Sequence, residues 1–339
     1  MKLNIINLKK FYKNKKVLIT GHTGFKGSWL SMCLNIFGAK VYGISLNEKN
    51  FKNLTIFKLK DKIKSYNINV ENFKNLETKV KKIKPDIIFH LAAQSLVKKS
   101  LREPYDTFIS NTKGTLNILE IKKRNSFIKS LVIITSDKCY KNLESKHGYN
   151  EASELGGDDP YSASKAAAEI LIISYLKSFR EKFTNTCSAR AGNVIGGGDW
   201  SEGRIVPDIV RSIFKKKNKI IIRNPDAIRP WQHVLEPVSG YIKLGFLNYK
   251  YSKKYNTSWN FGPKKKINFT VKKVVESFAK YSEKKIKIII KKNKNIKETS
   301  TLHLSSLKAK KQIKWESQWS HDYAIKQTAN WYKAYYNKR

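Results

Sequence analysis

The chain has 339 residues, with 68 Lys or Arg against 26 Asp or Glu and a formal net charge of +42. Its length suits one large domain or two interleaved lobes with a sizeable core. This charge would suit nucleic acid or an anionic membrane, but the lysines are spread along the chain and no basic arm or RNA-binding motif accompanies them. We predict no specific nucleic-acid partner and, since no apolar stretch reaches the length of a span, no membrane insertion.

The cysteines and histidines indicate which cellular compartment the protein occupies and whether it binds a metal. Cys33, Cys139 and Cys187 lie far apart, and an odd, sparse set favours a reducing cytoplasm over a disulfide framework. The basic N-terminus lacks the sustained apolar segment of a secretory signal. The six histidines show no zinc-type spacing and no Cys-x-x-Cys pair occurs. We therefore predict a cytoplasmic protein that binds no metal.

The first motif lies within residues 16–46, which read as a buried strand, a glycine loop, a helix over residues 28–37 and a second strand. Gly21, Gly24 and Gly27 are spaced three apart in the loop. Glycines there let backbone N–H groups approach a pyrophosphate at the helix N-terminus, where the helix dipole favours an anion. The pattern predicts a dinucleotide site, and its spacing is typical of short-chain dehydrogenase/reductase-like proteins.

Two further buried strands end in candidate site residues. Residues 86–94 read as a strand that ends in small side chains, which would let a cofactor lie close. Residues 131–135 read as the next strand, and Ser136, Asp137 and Lys138 follow it directly. Ligands bind at the carboxyl edge of parallel sheets, so these strands predict a hydroxyl, a carboxylate and an ammonium at that edge.

A helix is predicted to open at Pro160, because proline suits a first helical turn and alanines follow it. Tyr161 and Lys165 are four residues apart and share one face of this helix. An ammonium close to a phenol favours the phenolate, so Tyr161 can act as a base nearer neutral pH. The spacing alone would also fit an exposed Tyr-Lys pair on the surface. The glycine loop and the residues that follow the predicted strands favour a catalytic site instead.

The alternation of strands and helices loosens after a strand predicted at residues 186–194. The later helices are predicted at residues 205–217, 236–247, 270–281, 305–313 and 321–336, and the later strands at 220–223, 259–262 and 286–291. We predict an α/β fold with a doubly wound parallel Rossmann-type sheet. A smaller, interleaved C-terminal α/β substrate lobe completes it.

The motifs together resemble those of the CDP-glucose 4,6-dehydratase family, a branch of the extended short-chain dehydrogenases. The matching segments are residues 20–30, 90–97, 135–140, 155–165, 189–200 and 229–234, within about residues 15–263. The glycine loop and the Tyr-Lys pair are typical of the whole superfamily. The Gly-Phe-Lys-Gly-Ser-Trp run, Lys138 and the Arg-Pro-Trp-Gln-His run indicate the CDP-glucose branch.

The resemblance implies a lyase that converts CDP-glucose to CDP-4-dehydro-6-deoxyglucose and water, for deoxysugar or O-antigen precursors. Tyr161 would take the proton of the sugar 4-hydroxyl while C4 gives hydride to NAD, and Lys165 would sustain the phenolate. Ser136 would hydrogen-bond the same hydroxyl, and Asp137 would protonate the leaving 6-hydroxyl. The same hydride then returns to C6, so a tightly bound NAD is regenerated in each turnover. Another sugar-nucleotide dehydratase or an epimerase on the same fold is the alternative.

Lys138 stands where many sugar-nucleotide dehydratases have the glutamate that removes the C5 proton. It could be a neutral base, position a water, or stabilise the enolate through its charge, and these alternatives stay open. NADP is less excluded than usual, because Asn47 and Asn67 occupy positions where relatives often have carboxylates near the adenosine.

The resemblance also implies binding residues, domains and an assembly. The NAD-binding residues would be Gly21, Thr23, Gly24, Phe25, Lys26, Gly27, Asn47, Asn67, Ile68, Leu91, Ala92, Ala93, Asn111, Tyr161 and Lys165. The substrate-binding residues would be Gln94, Ser95, Asn193, Arg229 and His233, with a packed structural histidine as the alternative for the last. Residues 1–198, with return segments near 230–262, would bind NAD, and residues 199–229 and 263–339 would form the substrate lobe. Helices near residues 104–122 and 161–179 would pair two copies in a homodimer or a dimer of dimers.

Overall fold

The structure is a computed structural model that describes residues 4–46, 52–144, 147–214, 219–264, 269–291 and 302–337. Its strands are β1 (Lys16–Thr20), β2 (Lys40–Ser45), β3 (Lys64–Asn67), β4 (Ile87–His90), β5 (Ser130–Ile134), β6 (Thr186–Ala191), β7 (Val194–Ile195), β8 (Lys219–Ile222), β9 (Gln232–His233), β10 (Ser258–Phe261) and β11 (Lys287–Ile290).

The helices complete the secondary structure of the described residues. They are α1 (Ile5–Tyr12), α2 (Phe25–Ile36), α3 (Lys52–Ile56), α4 (Phe73–Ile83), α5 (Val97–Arg102), α6 (Pro104–Phe108), α7 (Gly114–Arg124), α8 (Pro160–Ser178), α9 (Ile205–Phe214), α10 (Leu235–Lys250), α11 (Val271–Tyr281), α12 (Leu307–Ile313) and α13 (His321–Asn337). A π-helical segment covers Ile109–Lys113 and a 3₁₀ turn covers Asp137–Cys139. Within these described ranges, every helix is too short or too polar to cross a bilayer.

The central sheet has the strand order β10-β6-β5-β4-β1-β2-β3. The ladders that join β1 to β2, β2 to β3, β1 to β4, β4 to β5 and β5 to β6 all run parallel. The chain builds β2 and β3 on one side of β1 and then returns to add β4, β5 and β6 on the other. This reversal is the topological switch of a doubly wound sheet, so the predicted fold class is confirmed.

The chain divides into two compact units. The first comprises Met1–Lys141, Glu151–Arg190 and Val238–Asn260, and the second comprises Asn142–Asn150, Ala191–Pro237 and Phe261–Arg339. Residues 142–150, which the sequence assigns to the first domain, therefore group with the second unit. Tyr149 explains this, because its N–H donates to His303 O over 3.0 Å and its carbonyl accepts from Ser305 N over 2.9 Å.

Both faces of the first unit's sheet are covered. On one face, Val80 of α4, Ile118 of α7 and Ile172 of α8 belong to one buried cluster with Leu18 and Ile88 of the sheet. Successive strand residues point to opposite faces. Phe89 accordingly points the other way, toward α10, where a Cβ added at Gly245 would lie 2.6 Å from its ring. Tight packing thus fixes α8 and α10 against the strands whose ends form the candidate site.

The second unit has its own core. The parallel pair β8 and β11 lies beside α9, α11 and α13, and the shared buried cluster includes Ile209, Val275, Phe278, Ile325 and Tyr332. The short parallel pair β7 and β9 also belongs to this unit. The Tyr332 hydroxyl donates to Asp199 O over 2.6 Å, which fixes the glycine-rich loop after β7 to α13.

Candidate active site

The glycine loop between β1 and α2 has the backbone geometry of an anion-binding helix N-terminus. Gly21 has φ +73°, and a Cβ there would lie 2.8 Å from Ala92 N. A Cβ at Gly27 would lie 2.1 Å from Gly21 O, so only glycine allows α2 to pass this close. Gly24 precedes the helix without a capping side chain, and a helix N-terminus of this kind suits an anionic ligand. These residues fit a dinucleotide pyrophosphate. The helix begins at Phe25 rather than at the predicted residue 28.

His22 is a loop residue that sequence reasoning missed. Its Nδ1 lies 2.9 Å from Ser45 Oγ and its Nε2 lies 2.9 Å from Ser65 Oγ, which joins the loop to β2 and β3. A Cβ at Gly43 would lie 2.2 Å from the His22 ring, so glycine in the middle of β2 makes room for it. Burial lowers the pKa of His22 to about 4, and the ring is neutral at pH 7. Gly43 within the predicted second strand was the sequence signal for this contact, because a glycine inside a strand often marks the close approach of another group.

The other predicted cofactor residues follow the ends of three strands of the first unit. Thr23, Phe25 and Lys26 follow β1, Asn67 and Ile68 end or follow β3, and Leu91, Ala92 and Ala93 follow β4. Parallel strands place these positions at one edge of the sheet. Asn47 lies outside the described residues, and all these binding roles stay predictions.

Asn111 and Gln94 use their side chains within the protein. Asn111 Oδ1 accepts from Gln94 N over 2.8 Å, and its amide donates to Gln94 O over 3.0 Å and to Ser164 Oγ over 2.9 Å. The Gln94 amide in turn donates to Leu96 O and Thr107 Oγ1. Asn111 therefore links the loop after β4 to α8 next to Lys165. Its predicted contact with NAD is untested, as is the predicted sugar contact of Gln94 and exposed Ser95.

The Tyr161–Lys165 pair lies in the first turns of α8. Asp159 Oδ1 accepts from Tyr161 N and Ser162 N over 3.0 Å each, which fixes the start of the helix. Both Tyr161 and Lys165 are buried rather than exposed on the surface. Burial, followed by the charge of Lys26, lowers the pKa of Lys165 to about 8, while Glu169 acts in the opposite direction. Lys165 is thus mostly protonated at pH 7 and close to titrating.

Ser136, Asp137 and Lys138 form the turn that follows β5. Ser136 Oγ donates to Asp137 Oδ1 over 3.1 Å and accepts from Lys138 N over 3.3 Å. Asp137 is buried, whereas Lys138 is half-buried. Burial, followed by the charges of Asp137 and Tyr161, raises the pKa of Tyr241 of α10, which sequence reasoning also missed. The turn after β5 itself packs against α8.

The remaining predicted substrate residues lie in the second unit. Asn193 precedes β7 and its carbonyl accepts from Gln232 N over 3.0 Å, so the strand pair brings it to the Arg-Pro-Trp-Gln-His run. Arg229 lines a cavity of about 220 Å³ that His303 and Lys264 also line. His233 is buried beside Trp319 with ring centroids 4.4 Å apart, and burial lowers its pKa to about 4. A packed, neutral histidine fits these contacts, and substrate roles for all three stay predictions.

Comparison with known proteins identifies the family. The sequence profile described as GDP-mannose 4,6 dehydratase matches residues 18–328. The chain belongs to this dehydratase family. A similar relative is the CDP-glucose 4,6-dehydratase of Salmonella typhimurium, 40% identical over 334 residues that cover 96% of this chain and 93% of that protein. The resemblance carried by the sequence motifs is confirmed.

Solved structures of epimerases and dehydratases share the fold of this family member. An epimerase from Methanothermobacter thermautotrophicus has a TM-score of 0.85 at 20% identity and covers 98% of this chain and 96% of its own. The dTDP-glucose 4,6-dehydratase of Bacillus anthracis in complex with NAD has a TM-score of 0.77 at 21% identity, with coverage of 94% and 96%. At this identity the two structures support the fold alone.

Proposed function

We propose that this chain is a CDP-glucose 4,6-dehydratase, a hydro-lyase that keeps NAD bound and converts CDP-glucose to CDP-4-dehydro-6-deoxyglucose and water. The observation that carries the proposal is that the Asp137–Cys139 turn packs against α8, the helix whose first turn holds Tyr161. An oxidation at C4 requires only Tyr161, whereas loss of water from C6 requires an acid, for which Asp137 is the candidate. The 40% identity to a protein named for this reaction supports the nucleotide and the sugar.

NAD, when bound at the glycine loop, supplies the hydride acceptor and donor. The chain's own groups move the protons. Protonated Lys165, one helical turn from Tyr161, favours the phenolate, which can then take the proton of the sugar 4-hydroxyl. Ser136 Oγ would orient that hydroxyl, and Asp137 would protonate the leaving 6-hydroxyl. The C5 proton goes to Lys138 as a neutral base or to a water that Lys138 positions; as an ammonium, the half-buried Lys138 would in the latter case also stabilise the enolate.

The test is turnover of CDP-glucose by purified protein, followed by detection of a 4-keto-6-deoxy sugar. We expect the keto product without net reduction of NAD, because the hydride returns to the sugar. Recovery of CDP-galactose would indicate an epimerase, and stoichiometric reduced NAD would indicate a dehydrogenase; either result overturns the proposal. A panel of CDP-, dTDP-, UDP- and GDP-glucose at equal concentration decides the nucleotide, with CDP expected to be preferred.

The proposed assembly is a homodimer through α6 and α8. Tyr105 is 75% exposed on α6, and Ile170 is 58% exposed on α8. Exposed apolar side chains of this size on neighbouring helices suit contact with a second copy of the chain. We expect light scattering to give a dimer mass or a multiple of it, and Ile170→Glu to shift the mass toward the monomer. A wild-type monomer that is fully active at low concentration contradicts this assembly.

A cytoplasmic location is also part of the proposal. Its support is the three free cysteines, Cys33, Cys139 and Cys187, since a reducing compartment keeps thiols free. Cell fractionation with an antibody to the chain tests it, and recovery from the cell exterior would contradict it.

A further inference from the structure

A buried ion pair lies next to the candidate catalytic residues, and the roles proposed so far do not use it. Arg190 Nη2 of β6 lies 2.6 Å from Glu169 Oε2 of α8, and the two side chains are 1% and 0% exposed. Glu169 follows Lys165 by one helical turn, so it lies on the same face of α8. The Glu169–Arg190 cluster is this pair, four of its hydrogen-bond partners and Asn260, which bonds to one of them; the partners are Thr135, Tyr140, Ser188 and Ser258.

The glutamate end of the cluster holds the residue before the catalytic turn. The Thr135 hydroxyl donates to Glu169 Oε1, and Thr135 immediately precedes Ser136. Glu169 Oε2 also accepts from the Ser188 hydroxyl over 2.9 Å and from the Ser258 hydroxyl over 3.2 Å. Both carboxylate oxygens are therefore used, and α8 is bonded to the end of β5, to β6 and to β10.

The arginine end holds the residue after the same turn. Arg190 Nη1 donates to the Tyr140 hydroxyl oxygen over 2.7 Å, and Tyr140 immediately follows Asp137–Cys139. The guanidinium carbon lies 5.0 Å from the centroid of the Tyr140 ring. The Tyr140 hydroxyl donates in turn to Asn260 Oδ1 over 2.8 Å. Both ends of the turn are thus attached to one ion pair.

This arrangement is not explained by stability alone. A buried ion pair loses the hydration of two charges, and well-packed apolar residues of the same volume are often at least as stable. A buried hydrogen-bonded polar cluster instead fixes one geometry of the groups that it joins. Here the joined groups are the helix with Tyr161 and Lys165 and the turn with Asp137.

We propose that Glu169 and Arg190 are positioning residues that fix the turn after β5 relative to the Tyr161–Lys165 helix. The geometry stands on the contacts above, whereas its catalytic consequence rests on the proposed dehydration. Tyr161 acts at C4 and Asp137 at C6 of one sugar, so a small change in their separation slows the reaction even when both side chains remain.

Glu169 also acts on Lys165 through its charge. The groups that interact electrostatically with Lys165 are Lys26 of α2, Cys139 of the turn, His90 of β4 and Glu169. Burial raises the pKa of the Cys139 thiol and lowers the pKa of His90 to about 3, so both are neutral at pH 7. The pKa of Glu169 is lowered by Arg190 and its hydrogen bonds despite burial, so it stays ionised. It is then the anion that favours the protonated form of Lys165.

The test compares Glu169→Gln with Arg190→Lys in the NAD-loaded protein. We expect each to lower kcat for CDP-glucose by about 10- to 100-fold with KM and bound NAD little changed, because the turn moves while the binding groups remain. Only Glu169→Gln should move the alkaline limb of the pH–rate profile, by about one pH unit to lower pH, since only it removes the anion near Lys165. Arg190→Lys keeps that carboxylate and should leave the limb in place.

The matched control is Glu154→Gln, which removes the same charge from an exposed ion pair with Lys141. It should leave kcat and the pH–rate profile unchanged. Thr135→Val is the milder variant if Glu169→Gln fails to fold, because it removes one hydrogen bond to the turn; we expect a several-fold loss of kcat without movement of the limb. Variants that lose thermal stability but keep wild-type kcat and the wild-type limb would show a structural role only and overturn the proposal.

A second measurement keeps the inference separate from the proposed function. Nuclear magnetic resonance of protein with isotope-labelled lysine side chains follows protonation of Lys165 without substrate, with Lys165→Arg assigning the signal. We expect Glu169→Gln to lower the pH at which this signal titrates, and Glu154→Gln to leave it unchanged. An unchanged titration in Glu169→Gln overturns the electrostatic part, even if CDP-glucose is not the substrate.

Discussion

Two turns at the same edge of the sheet are held in different ways. The turn after β1 depends on missing side chains, because Cβ atoms at Gly21 and Gly27 would meet backbone atoms. The turn after β5 depends on side chains that are present, because Glu169 and Arg190 hold the residues on either side of it. The first brings a helix N-terminus to the sheet edge, and the second fixes the proposed reactive side chains. The difference supports our proposal that the first turn serves binding and the second serves chemistry.

The largest expected effect breaks the first turn. Gly27→Ala places a Cβ 2.1 Å from Gly21 O, a backbone atom that cannot move without the loop. We expect loss of bound NAD and a decrease in the free energy of unfolding of about 3 kcal/mol, at the upper end for overpacking. Gly24→Ala is the comparison, because its Cβ would lie 3.3 Å from the same oxygen and its backbone angles suit alanine. It should weaken NAD binding with little loss of stability. Urea unfolding and the absorbance of released NAD measure both.

This contrast also explains what could be predicted from the sequence. The glycine spacing, the Tyr161–Lys165 spacing and the Ser136–Asp137 run are local patterns, and each indicated its place at the sheet edge. The roles of Glu169 and Arg190 depend on partners up to 89 residues away in sequence, such as Ser258. A glutamate within an apolar helix and an arginine within a buried strand were visible in the sequence, but the sequence alone does not pair them.

Other elements escaped prediction for related reasons. The sequence analysis assigned no element to residues 52–85, where the structure has α3, β3 and α4. β3 is half-exposed and polar, so its strand pattern is weak. Its neighbour β2 and the buried face of α4 stabilise it as a strand. Such tertiary contacts can outweigh a low intrinsic strand propensity. Tyr149 likewise joins the second unit through a pairing with Leu304 that no local pattern indicates.

The second prediction concerns a substitution that should abolish most of the turnover while NAD stays bound. Asp137→Asn keeps the shape of the turn but removes the proposed acid. We expect kcat for CDP-glucose to fall by about 100-fold or more, the usual contribution of a positioned acid, with bound NAD unchanged. Stopped assays for the keto product, together with the NAD content of the purified protein, measure the two effects. Wild-type kcat in this variant would remove Asp137 from the reaction and leave the turn without its proposed purpose.

Lowering the pH should destabilise the surroundings of the turn after β1 before those of the turn after β5. Burial lowers the pKa of His22 to about 4 and that of His90 to about 3, both below the ordinary value of 6.5. As the pH falls below about 6.5 the unfolded chain therefore binds protons that the folded chain does not. The stabilisation present above that pH is lost by about 1.4 kcal/mol per pH unit for each histidine. The pKa of Glu169 is lowered from 4.5, so its contribution is lost only at lower pH.

Urea unfolding from about pH 7 to about pH 4.5 measures this loss. We expect His22→Gln to reduce the slope of the free energy of unfolding against pH by the contribution of one histidine. As the pH falls, we also expect NAD to be released before Glu169 is protonated. An identical slope in the variant would mean that His22 takes up its proton in the folded state. The neutral ring would then not be what joins the glycine loop to β2 and β3.

The smallest expected effect compares two serines, one that supports each turn. Ser45→Ala removes the partner of His22 Nδ1, and Ser258→Ala removes a partner of Glu169 and Arg190. Each variant should lose about 2 kcal/mol of stability, because each hydroxyl makes two hydrogen bonds and a buried hydrogen bond contributes about 1 kcal/mol. The two variants should differ in their effects on NAD retention and on kcat, even though they lose similar amounts of stability. Ser45→Ala should weaken retention of NAD while the loaded protein keeps its kcat, because only the loop that binds loses support. Ser258→Ala should lower kcat a few-fold while NAD retention stays the same, because only the ion pair beside the turn after β5 is affected. Equal effects of the two serines on both quantities would mean that the turns are supported jointly and that binding and chemistry are not divided between them.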